Sequence, residues 1–307
     1  MVRKIIIGTR ESLLALWQAS WVKRILQLRY PKLSMEIKTI KTQGDRMLNT
    51  ALDKINDKAL FTRELEIALL NKEIDIAVHS MKDLPTSLPV GLIIGAITER
   101  HDPADVVISK SGVKLLDLPK GAVVGTSSLR RRSQLLNMRQ DFIIKDICGN
   151  LNTRIRKFAE QDYQAVVLAA AGIERLGWGD KITERLNPEE FLPAIGQGAL
   201  GIEIRQSDKG ILDLVAVLNH SNTDSAVRAE RAMLRTLGGG CQTPVGALGL
   251  VVDDKLMLRG LIGSLDGTRI LKAVDSGSPD FPEVLGQRLA SSLIDQGAGE
   301  ILKQIRN

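Results

Sequence analysis

Short apolar runs and amphipathic stretches alternate along the chain, and this pattern is typical of an α/β fold. The run Lys4–Ile7 predicts a buried strand, and apolar residues at helical spacing predict a helix over Leu13–Leu28. The same order then returns, with an amphipathic helix at Phe61–Lys72 and buried strands at Ile74–Val78 and Gly91–Ile97. Strands that alternate with helices in this way pack into a largely parallel sheet.

A second α/β unit follows a charged, proline-broken segment from Glu99 to Asp105, which we interpret as the first domain boundary. Ala122–Val124, Phe142–Ile147 and Ala165–Ala170 predict the strands of this second unit. The glycine-spaced run Leu192–Ile204 predicts a second crossing between the units, because glycines punctuate regular structure.

The last part of the chain predicts a small α+β domain. A polar helix over Thr223–Thr236 precedes strands at Gly246–Val252 and Leu256–Ile262, and a long helix begins near Pro282. A chain of 307 residues is too long for one ordinary core. The predicted division is domain 1 (1–98 with 200–218), domain 2 (99–199) and domain 3 (219–307).

Between Thr42 and Leu60 the periodicity disappears and most positions are polar. A loop of this length inside a compact domain is uncommon, and it is more often functional or mobile than merely connecting. We therefore expect this segment to contribute to the protein's function.

Composition narrows the function classes. The net charge of +6 predicts anionic partners, but aromatic residues make up only 3% of the chain, too few for the stacking platforms of single-stranded nucleic-acid binders. Two cysteines indicate no disulfide framework, the apolar start is too short for a signal peptide, and no segment has the length of a membrane span. The sequence lacks a dinucleotide fingerprint, a Walker motif and zinc-ligand spacing. We expect a cytoplasmic protein with no metal, no nucleic-acid partner and no membrane.

Charged residues follow two predicted strands at their carboxyl ends, where ligands gather in open α/β sheets. Arg10 and Ser12 lie at the N-terminus of the first helix, and free backbone N–H groups at such a turn favour anions. Lys82 and Asp83 occupy the corresponding place after the strand that ends near residue 78. A solvated loop charge at Arg10 and a capping role for Asp83 remain as alternatives.

Three successive arginines, Arg130 to Arg132, lie in the first turns of a helix that Thr126 and Ser128 precede. Positive charge near a helix N-terminus is unfavourable to the helix dipole, so these arginines need another reason. Carboxylate or phosphate binding supplies one, because the guanidinium fork matches those groups. DNA phosphate is possible, but no helix-turn-helix pattern accompanies it.

Three glycines precede Cys241 in the run Leu237–Pro244. Glycines leave the backbone free to lie close against a bulky group. A lone cysteine is commonly a small buried hydrophobe, but this loop has little around it to bury the thiol. The loop is therefore a plausible place for a covalent attachment.

Six segments, in this order along the chain, resemble the porphobilinogen deaminase (hydroxymethylbilane synthase) family of tetrapyrrole biosynthesis. The resemblance covers nearly the whole chain. The segments are Gly8-Thr9-Arg10, Val78-His79-Ser80-Met81-Lys82-Asp83, Gly125-Thr126-Ser127-Ser128-Leu129-Arg130-Arg131, Gly149-Asn150 with Thr153-Arg154, Gly196-Gln197-Gly198-Ala199 and Gly239-Gly240-Cys241-Gln242.

The resemblance implies two α/β domains like those of periplasmic binding proteins, a small C-terminal α+β domain with the cofactor loop, and a monomer. It implies a dipyrromethane cofactor bound covalently to Cys241 through a thioether. It also implies a transferase that adds four porphobilinogen molecules head to tail, with loss of ammonia, and releases hydroxymethylbilane by hydrolysis.

The resemblance also implies roles for individual residues. Loss of ammonia leaves a cationic azafulvene, which the carboxylate of Asp83 would stabilise electrostatically. The segment 42–60 matches the family's mobile loop, of a kind that often limits turnover. The cofactor-binding residues would be Lys82, Asp83, Thr126, Ser128, Arg130, Arg131, Asn150, Arg154, Gln197 and Cys241. The substrate-binding residues would be Arg10, Ser12, Gln18 and Arg175, and the mobile-loop residues Lys54, Lys58 and Phe61.

Cys148 departs from the family pattern, which has Arg immediately before the Gly-Asn pair. Gly238 in place of Glu and the loop sequence 56–61 are smaller departures. A lost charge-assisted hydrogen bond at 148 would cost roughly 1.5–3 kcal/mol, unless Arg156 or Lys145 replaces the charge. A catalytically impaired deaminase and a non-catalytic two-lobed binder of a small organic anion therefore stay as alternatives.

Overall fold

The computed structural model describes residues 4–46, 61–240 and 243–306. In chain order the strands are β1 (Ile5–Thr9), β2 (Met35–Thr39), β3 (Ile76–Ser80), β4 (Leu92–Ile97), β5 (Asp105–Ser109), β6 (Val123–Gly125), β7 (Ile143–Lys145), β8 (Ala165–Ala169), β9 (Glu184–Arg185), β10 (Leu200–Arg205), β11 (Val245–Val252), β12 (Lys255–Gly263) and β13 (Ile270–Gly277). The helices are α1 (Leu13–Arg29), α2 (Gln43–Arg46), α3 (Arg63–Leu70), α4 (Leu129–Met138), α5 (Leu151–Glu160), α6 (Ala170–Arg175), α7 (Lys209–Val215), α8 (Ser221–Thr236), α9 (Pro282–Asp295) and α10 (Ala298–Arg306).

The first sheet has the strand order β2-β1-β3-β10-β4. Strands β1, β2 and β3 are parallel, and β10 runs antiparallel to both of its neighbours. Helix α1 covers this sheet because Ala19, Val22 and Leu26 recur at helical spacing and pack into the same core as the strands.

The second sheet repeats this plan with the order β7-β6-β8-β5-β9. Strands β6, β7 and β8 are parallel, and β5 runs antiparallel to β8 and β9. The fourth strand of each sheet, β10 in the first and β5 in the second, is antiparallel to its neighbours. Each of these strands directly follows a crossing of the chain between the two units.

The third sheet is the antiparallel meander β11-β12-β13, against which α8 and α9 pack. Gly286 permits the close approach of these two helices, since a Cβ there would lie 2.2 Å from the backbone oxygen of Ala229. The chain thus folds as two α/β units and a small α+β unit, and the predicted fold class is confirmed.

Several details differ from the sequence-based expectation. Strands β5, β9, β10 and β13 were not predicted, and the aperiodic stretch begins with the short helix α2. The long C-terminal helix is two helices, because Gly297 has a φ of +101° and breaks the run. The domain boundaries remain a proposal, supported by the strands of each sheet: β1–β4 with β10, β5–β9, and β11–β13.

Candidate functional site

Both crossings enter their sheets at the carboxyl edge of the parallel strands. Because β10 is antiparallel to β3, its first residue, Leu200, lies beside Ser80 at the end of β3. Because β5 is antiparallel to β8, Asp105 lies beside Ala169 at the end of β8. The topology therefore brings residues of both crossings to the edges where ligands bind in open α/β sheets.

Asp105 is the fully buried carboxylate at the centre of this arrangement. It accepts hydrogen bonds from Arg130 Nη1 at 2.8 Å, Arg131 Nη2 at 2.7 Å and Gln197 Nε2 at 2.9 Å. Burial alone would raise the pKa of Asp105, but the two guanidinium groups hold it well below its usual range. Two predicted anion-binding arginines are thus organised by an internal carboxylate that the sequence analysis missed.

Lys82 and Asp83 lie in a single 3₁₀ turn, Met81–Asp83, directly after β3. Burial lowers the pKa of Lys82 to about 8, and the charge of Arg131 adds to this while Asp83 opposes it. Lys82 Nζ also donates to Gln197 Oε1 at 3.4 Å, so it faces the second crossing.

The glycine-spaced second crossing lies close against this turn. A Cβ at Gly196 would lie 2.9 Å from the Cβ of Met81, and a Cβ at Gly201 would lie 2.7 Å from the sulfur of Met81. The sequence analysis interpreted these glycines as a linker, but they also make room for the turn that carries Asp83.

Arg154, on helix α5, adds a fourth cation to Lys82, Arg130 and Arg131. We call these four residues the cationic cluster. Burial lowers its pKa to about 10, with a further contribution from Arg131, while Cys148 and Asp83 act in the opposite direction. Its Nε donates to the backbone oxygen of Gly149 at 2.7 Å.

Four of the predicted polar residues stabilise local backbone. Ser12, Ser128 and Asn150 are the N-caps of α1, α4 and α5, and each side chain accepts a hydrogen bond from a first-turn backbone N–H. Thr126 Oγ1 accepts from the backbone N–H of Ser128 at 3.2 Å. These contacts explain Ser12, Ser128 and Asn150 as helix caps and Thr126 as a residue that stabilises the turn before α4.

A cavity of about 50 Å³, open to solvent, lies at the edge of the first sheet. It brings together five of the predicted residues, which are Arg10, Ser12, Gln18, Phe61 and Asp83. Gln18 Nε2 donates to Ser80 Oγ at 2.8 Å, so two of the polar side chains that line the cavity are hydrogen-bonded to each other.

Arg10 is already paired within this cavity wall. Its guanidinium donates to Asp45 from Nη2 at 2.5 Å and from Nε at 3.2 Å, and it lies 4.3 Å from the ring centroid of Phe61. Burial alone would raise the pKa of Asp45, yet the hydrogen bond and the charge of Arg10 hold it below its usual value.

Arg175 lies apart from that cavity. Its Nη2 donates to the backbone oxygen of Gly198 at 2.7 Å, and its guanidinium lies 5.7 Å from the ring of Trp17. Burial lowers its pKa to about 10. The structure therefore places this predicted substrate-binding residue between α6, α1 and the second crossing.

Cys241, Lys54 and Lys58 lie outside the described residues. The adjoining Thr243 closes a turn, because its Oγ1 donates to the backbone oxygen of Gly240 at 2.7 Å. Cys148 is described: its Sγ lies 3.2 Å from Ser127 Oγ, and its backbone oxygen accepts from Lys157 Nζ at 3.1 Å.

The described residues fit a ligand that bears several carboxylates. Four cations lie near only two carboxylates, so positive charge is in excess. The Nε atoms of Arg130 and Arg131 are buried and have no hydrogen-bond partner within the described part of the chain. No group of three metal-ligating side chains occurs in that same part. The cations are Lys82, Arg130, Arg131 and Arg154, and the carboxylates Asp83 and Asp105.

The fold and the site define an α/β protein that gathers buried cations at the carboxyl edges of its two parallel-strand sheets. A family model described as "Porphobilinogen deaminase, dipyromethane cofactor binding domain" matches residues 5–213, and one described as "Porphobilinogen deaminase, C-terminal domain" matches residues 225–295. The chain belongs to the porphobilinogen deaminase family.

Relatives match over their full length. The chain is 53% identical over 306 residues to the porphobilinogen deaminase of Desulforudis audaxviator, covering 100% of this chain and 99% of the relative. It is 54% identical over 310 residues to that of Gloeobacter violaceus, covering 99% and 94%. Among solved structures, the methionine-binding protein MetQ aligns with 69% of this chain and 88% of its own, at 13% identity and a TM-score of 0.44.

Proposed function

We propose that this chain polymerises four porphobilinogen molecules head to tail on a covalently bound dipyrromethane primer and releases hydroxymethylbilane by hydrolysis. The observation that carries the proposal is the position of Asp83, which lines the open cavity and directly adjoins Lys82 in the cationic cluster. One carboxylate is thus available to the reacting pyrrole, while cations are available to the acetate and propionate groups.

Asp83 is the proposed catalytic residue. Its carboxylate would accept the pyrrole N–H of the substrate and stabilise the positive charge that develops as ammonia leaves. Arg10, Ser12 and Gln18 share the cavity with it and would orient the incoming substrate, with Arg175 nearby across α1.

When bound, dipyrromethane supplies a tethered pyrrole whose free carbon the next unit joins. Lys82, Arg131 and Arg154 would hold its carboxylates by charge-assisted hydrogen bonds. Arg130 is 3% exposed, so it would act chiefly through its charge and its hold on Asp105. Thr126, Ser128, Asn150 and Gln197 would add hydrogen bonds, and Cys241 would provide the thioether.

The remaining assignments are part of the same proposal. A substrate rich in carboxylates accounts for the net charge of +6 without nucleic acid. None of the helices in residues 4–46, 61–240 and 243–306 could cross a bilayer. We propose a cytoplasmic monomer whose Lys54, Lys58 and Phe61 belong to a loop over the site.

The test combines intact mass with product analysis. We expect an added mass of two condensed pyrrole units on the peptide that contains Cys241, and four ammonia molecules released per hydroxymethylbilane formed. Cys241→Ser should lose both, while Cys148→Ser should keep both. Binding of porphobilinogen without ammonia release would favour the two-lobed binder, and an adduct on Cys148 would overturn the choice of anchor.

A further inference from the structure

Helix α8 has two buried faces that serve different parts of the molecule. Ala226, Ala229 and Met233 pack into the core of the C-terminal unit with β11, β12 and α9. Val227 instead packs with Met81, the first residue of the Met81–Asp83 turn, and with Leu84, which directly follows that turn. The helix therefore connects the C-terminal core to the turn that carries Asp83.

Arg231 lies four residues after Val227 and so shares its face. It is 7% exposed. Its Nη1 donates to the backbone oxygen of Leu84 at 3.2 Å, and its Nη2 donates to that of Pro85 at 2.6 Å. These carbonyls belong to the two residues that directly follow Asp83. The guanidinium of Arg231 therefore fixes the backbone where the chain leaves the turn.

Glu230, the neighbouring residue, holds the same helix against the second crossing. Its side chain is fully buried and accepts from the backbone N–H of Gly196 at 2.7 Å and from that of Gly249 at 2.8 Å. It also pairs with Arg100 Nη2 at 2.7 Å. Because a helix is stiff, the contacts of Glu230 also fix the position of the α8 backbone at Arg231. The Arg231 side chain therefore binds the turn from a fixed position.

We infer that Arg231 is a positioning residue of the reaction. From the unit whose loop carries Cys241, it fixes the exit of the Lys82–Asp83 turn and thereby the place of the Asp83 carboxylate relative to the anchored chain. Arg231 contacts backbone oxygens of the turn and not the reacting atoms, so it acts through Asp83. This inference rests on the proposed function, because it assumes that Asp83 is catalytic.

The first test is the kinetics of Arg231→Met and Arg231→Lys as cofactor-loaded enzymes. Misplacement of a catalytic group by about 1 Å costs on the order of 100-fold, so kcat of Arg231→Met should fall roughly 10- to 100-fold. KM should stay within about threefold, because the substrate-binding residues are untouched. Lys keeps a cation that reaches one carbonyl, so Arg231→Lys should recover part of kcat.

Two controls separate positioning from loss of stability. Arg235→Ala changes an exposed arginine of the same helix and should leave kcat unchanged. Leu289→Ala opens the buried core of the C-terminal unit, and should lower the thermal midpoint without the fall in kcat. A fall in kcat that follows the thermal midpoint across all these variants would overturn the inference.

The second test is a double-mutant cycle with Asp83→Glu, which retains a carboxylate and hence a measurable rate. If Arg231 acts through Asp83, Arg231→Met should cost much less in the Asp83→Glu background, because placement of the carboxylate is already lost. Additive losses would overturn the role of Arg231 while leaving Asp83 catalytic. Full activity of Asp83→Glu and Asp83→Asn would instead contradict the proposed function itself.

Discussion

Arg10 and Asp45 form a two-point ion pair, with 2.5 Å between Nη2 and Oδ1 and 3.2 Å between Nε and Oδ2. The guanidinium fork that would receive a substrate carboxylate is therefore already occupied by a carboxylate of the chain. Substrate binding at Arg10 then requires an exchange of partners. Breaking the internal ion pair costs free energy, and this lowers the net free energy of substrate binding.

The first prediction concerns this exchange. Asp45→Asn should lower KM for porphobilinogen by about two- to fivefold, since a partly exposed ion pair contributes on the order of 1 kcal/mol or less. Steady-state kinetics of the cofactor-loaded enzyme provide the measurement. Glu73→Gln, which breaks the exposed Lys38–Glu73 pair, should leave KM unchanged. A higher KM in Asp45→Asn would mean that Asp45 holds Arg10 in its binding geometry.

The second prediction concerns Asp105. Asp105→Asn leaves two buried guanidinium groups without their counter-charge, so the free energy of unfolding should fall by about 3–5 kcal/mol. Urea unfolding measures this, and Glu189→Gln, at an exposed pair with Arg259, should change it by about 1 kcal/mol at most.

The same carboxylate predicts an acid dependence of stability. The pKa of Asp105 is depressed in the folded state, so its contribution is complete above the unfolded value of about 3.9 and is lost as pH falls below it. The acid loss of stability should therefore be smaller in Asp105→Asn than in the parent chain. Equal acid losses in both proteins would contradict the assignment.

The third prediction concerns the charge of Lys82. Its pKa of about 8 means that the ammonium is present below pH 8 and is lost as pH rises through that value. The yield of cofactor-loaded enzyme formed from the cofactor-free chain, measured by intact mass, should therefore fall above about pH 8. Lys82→Arg keeps its charge at higher pH and should remove the fall. An unchanged pH profile in that variant would assign the effect to another group.

The fourth prediction concerns Cys148, where the resemblance to the family implies Arg. Arg156 and Lys145, the two alternative sources of positive charge, are both exposed. Arg154 is a cation whose charge acts on Cys148, and Lys157 donates to the Cys148 backbone oxygen. Within the described part of the chain, the thiol itself contacts the hydroxyl of Ser127 and no guanidinium. Cys148→Arg should raise holoenzyme yield or turnover, by roughly 10- to 150-fold if the full 1.5–3 kcal/mol is recovered. Cys148→Ser should not, and an unchanged Cys148→Arg would show that the site tolerates the loss.

Elements with a clear periodicity could be predicted from the sequence. Helix α1 was expected at Leu13–Leu28 and extends to Arg29, because four buried apolar positions at helical spacing specify its face. Strand β3 was displaced by two residues, since a continuous apolar run does not mark where pairing begins. Buried-strand ends depend on partners elsewhere in the chain.

Asp105 and Arg231 were missed for a related reason. Asp105 follows Pro103 in a charged segment, and its partners are the arginines of α4 and Gln197, far along the chain. The apolar run Val106–Ile108 directly after it was the available signal for a strand. In the sequence, Arg231 is one of several arginines in a polar helix. Its contacts with Leu84 and Pro85 become apparent only when α8 packs against the first unit.

Strand β4 pairs with β10, and β10 alone separates it from β3 in the first sheet. A chain emerging from the ribosome presents β4 about a hundred residues before that partner, a delay of roughly 5–20 s at the usual rates of synthesis. The second sheet uses only strands between Asp105 and Arg185, so it can close first. Translation that stalls before residue 200 would leave the edges of β3 and β4 open to other nascent chains.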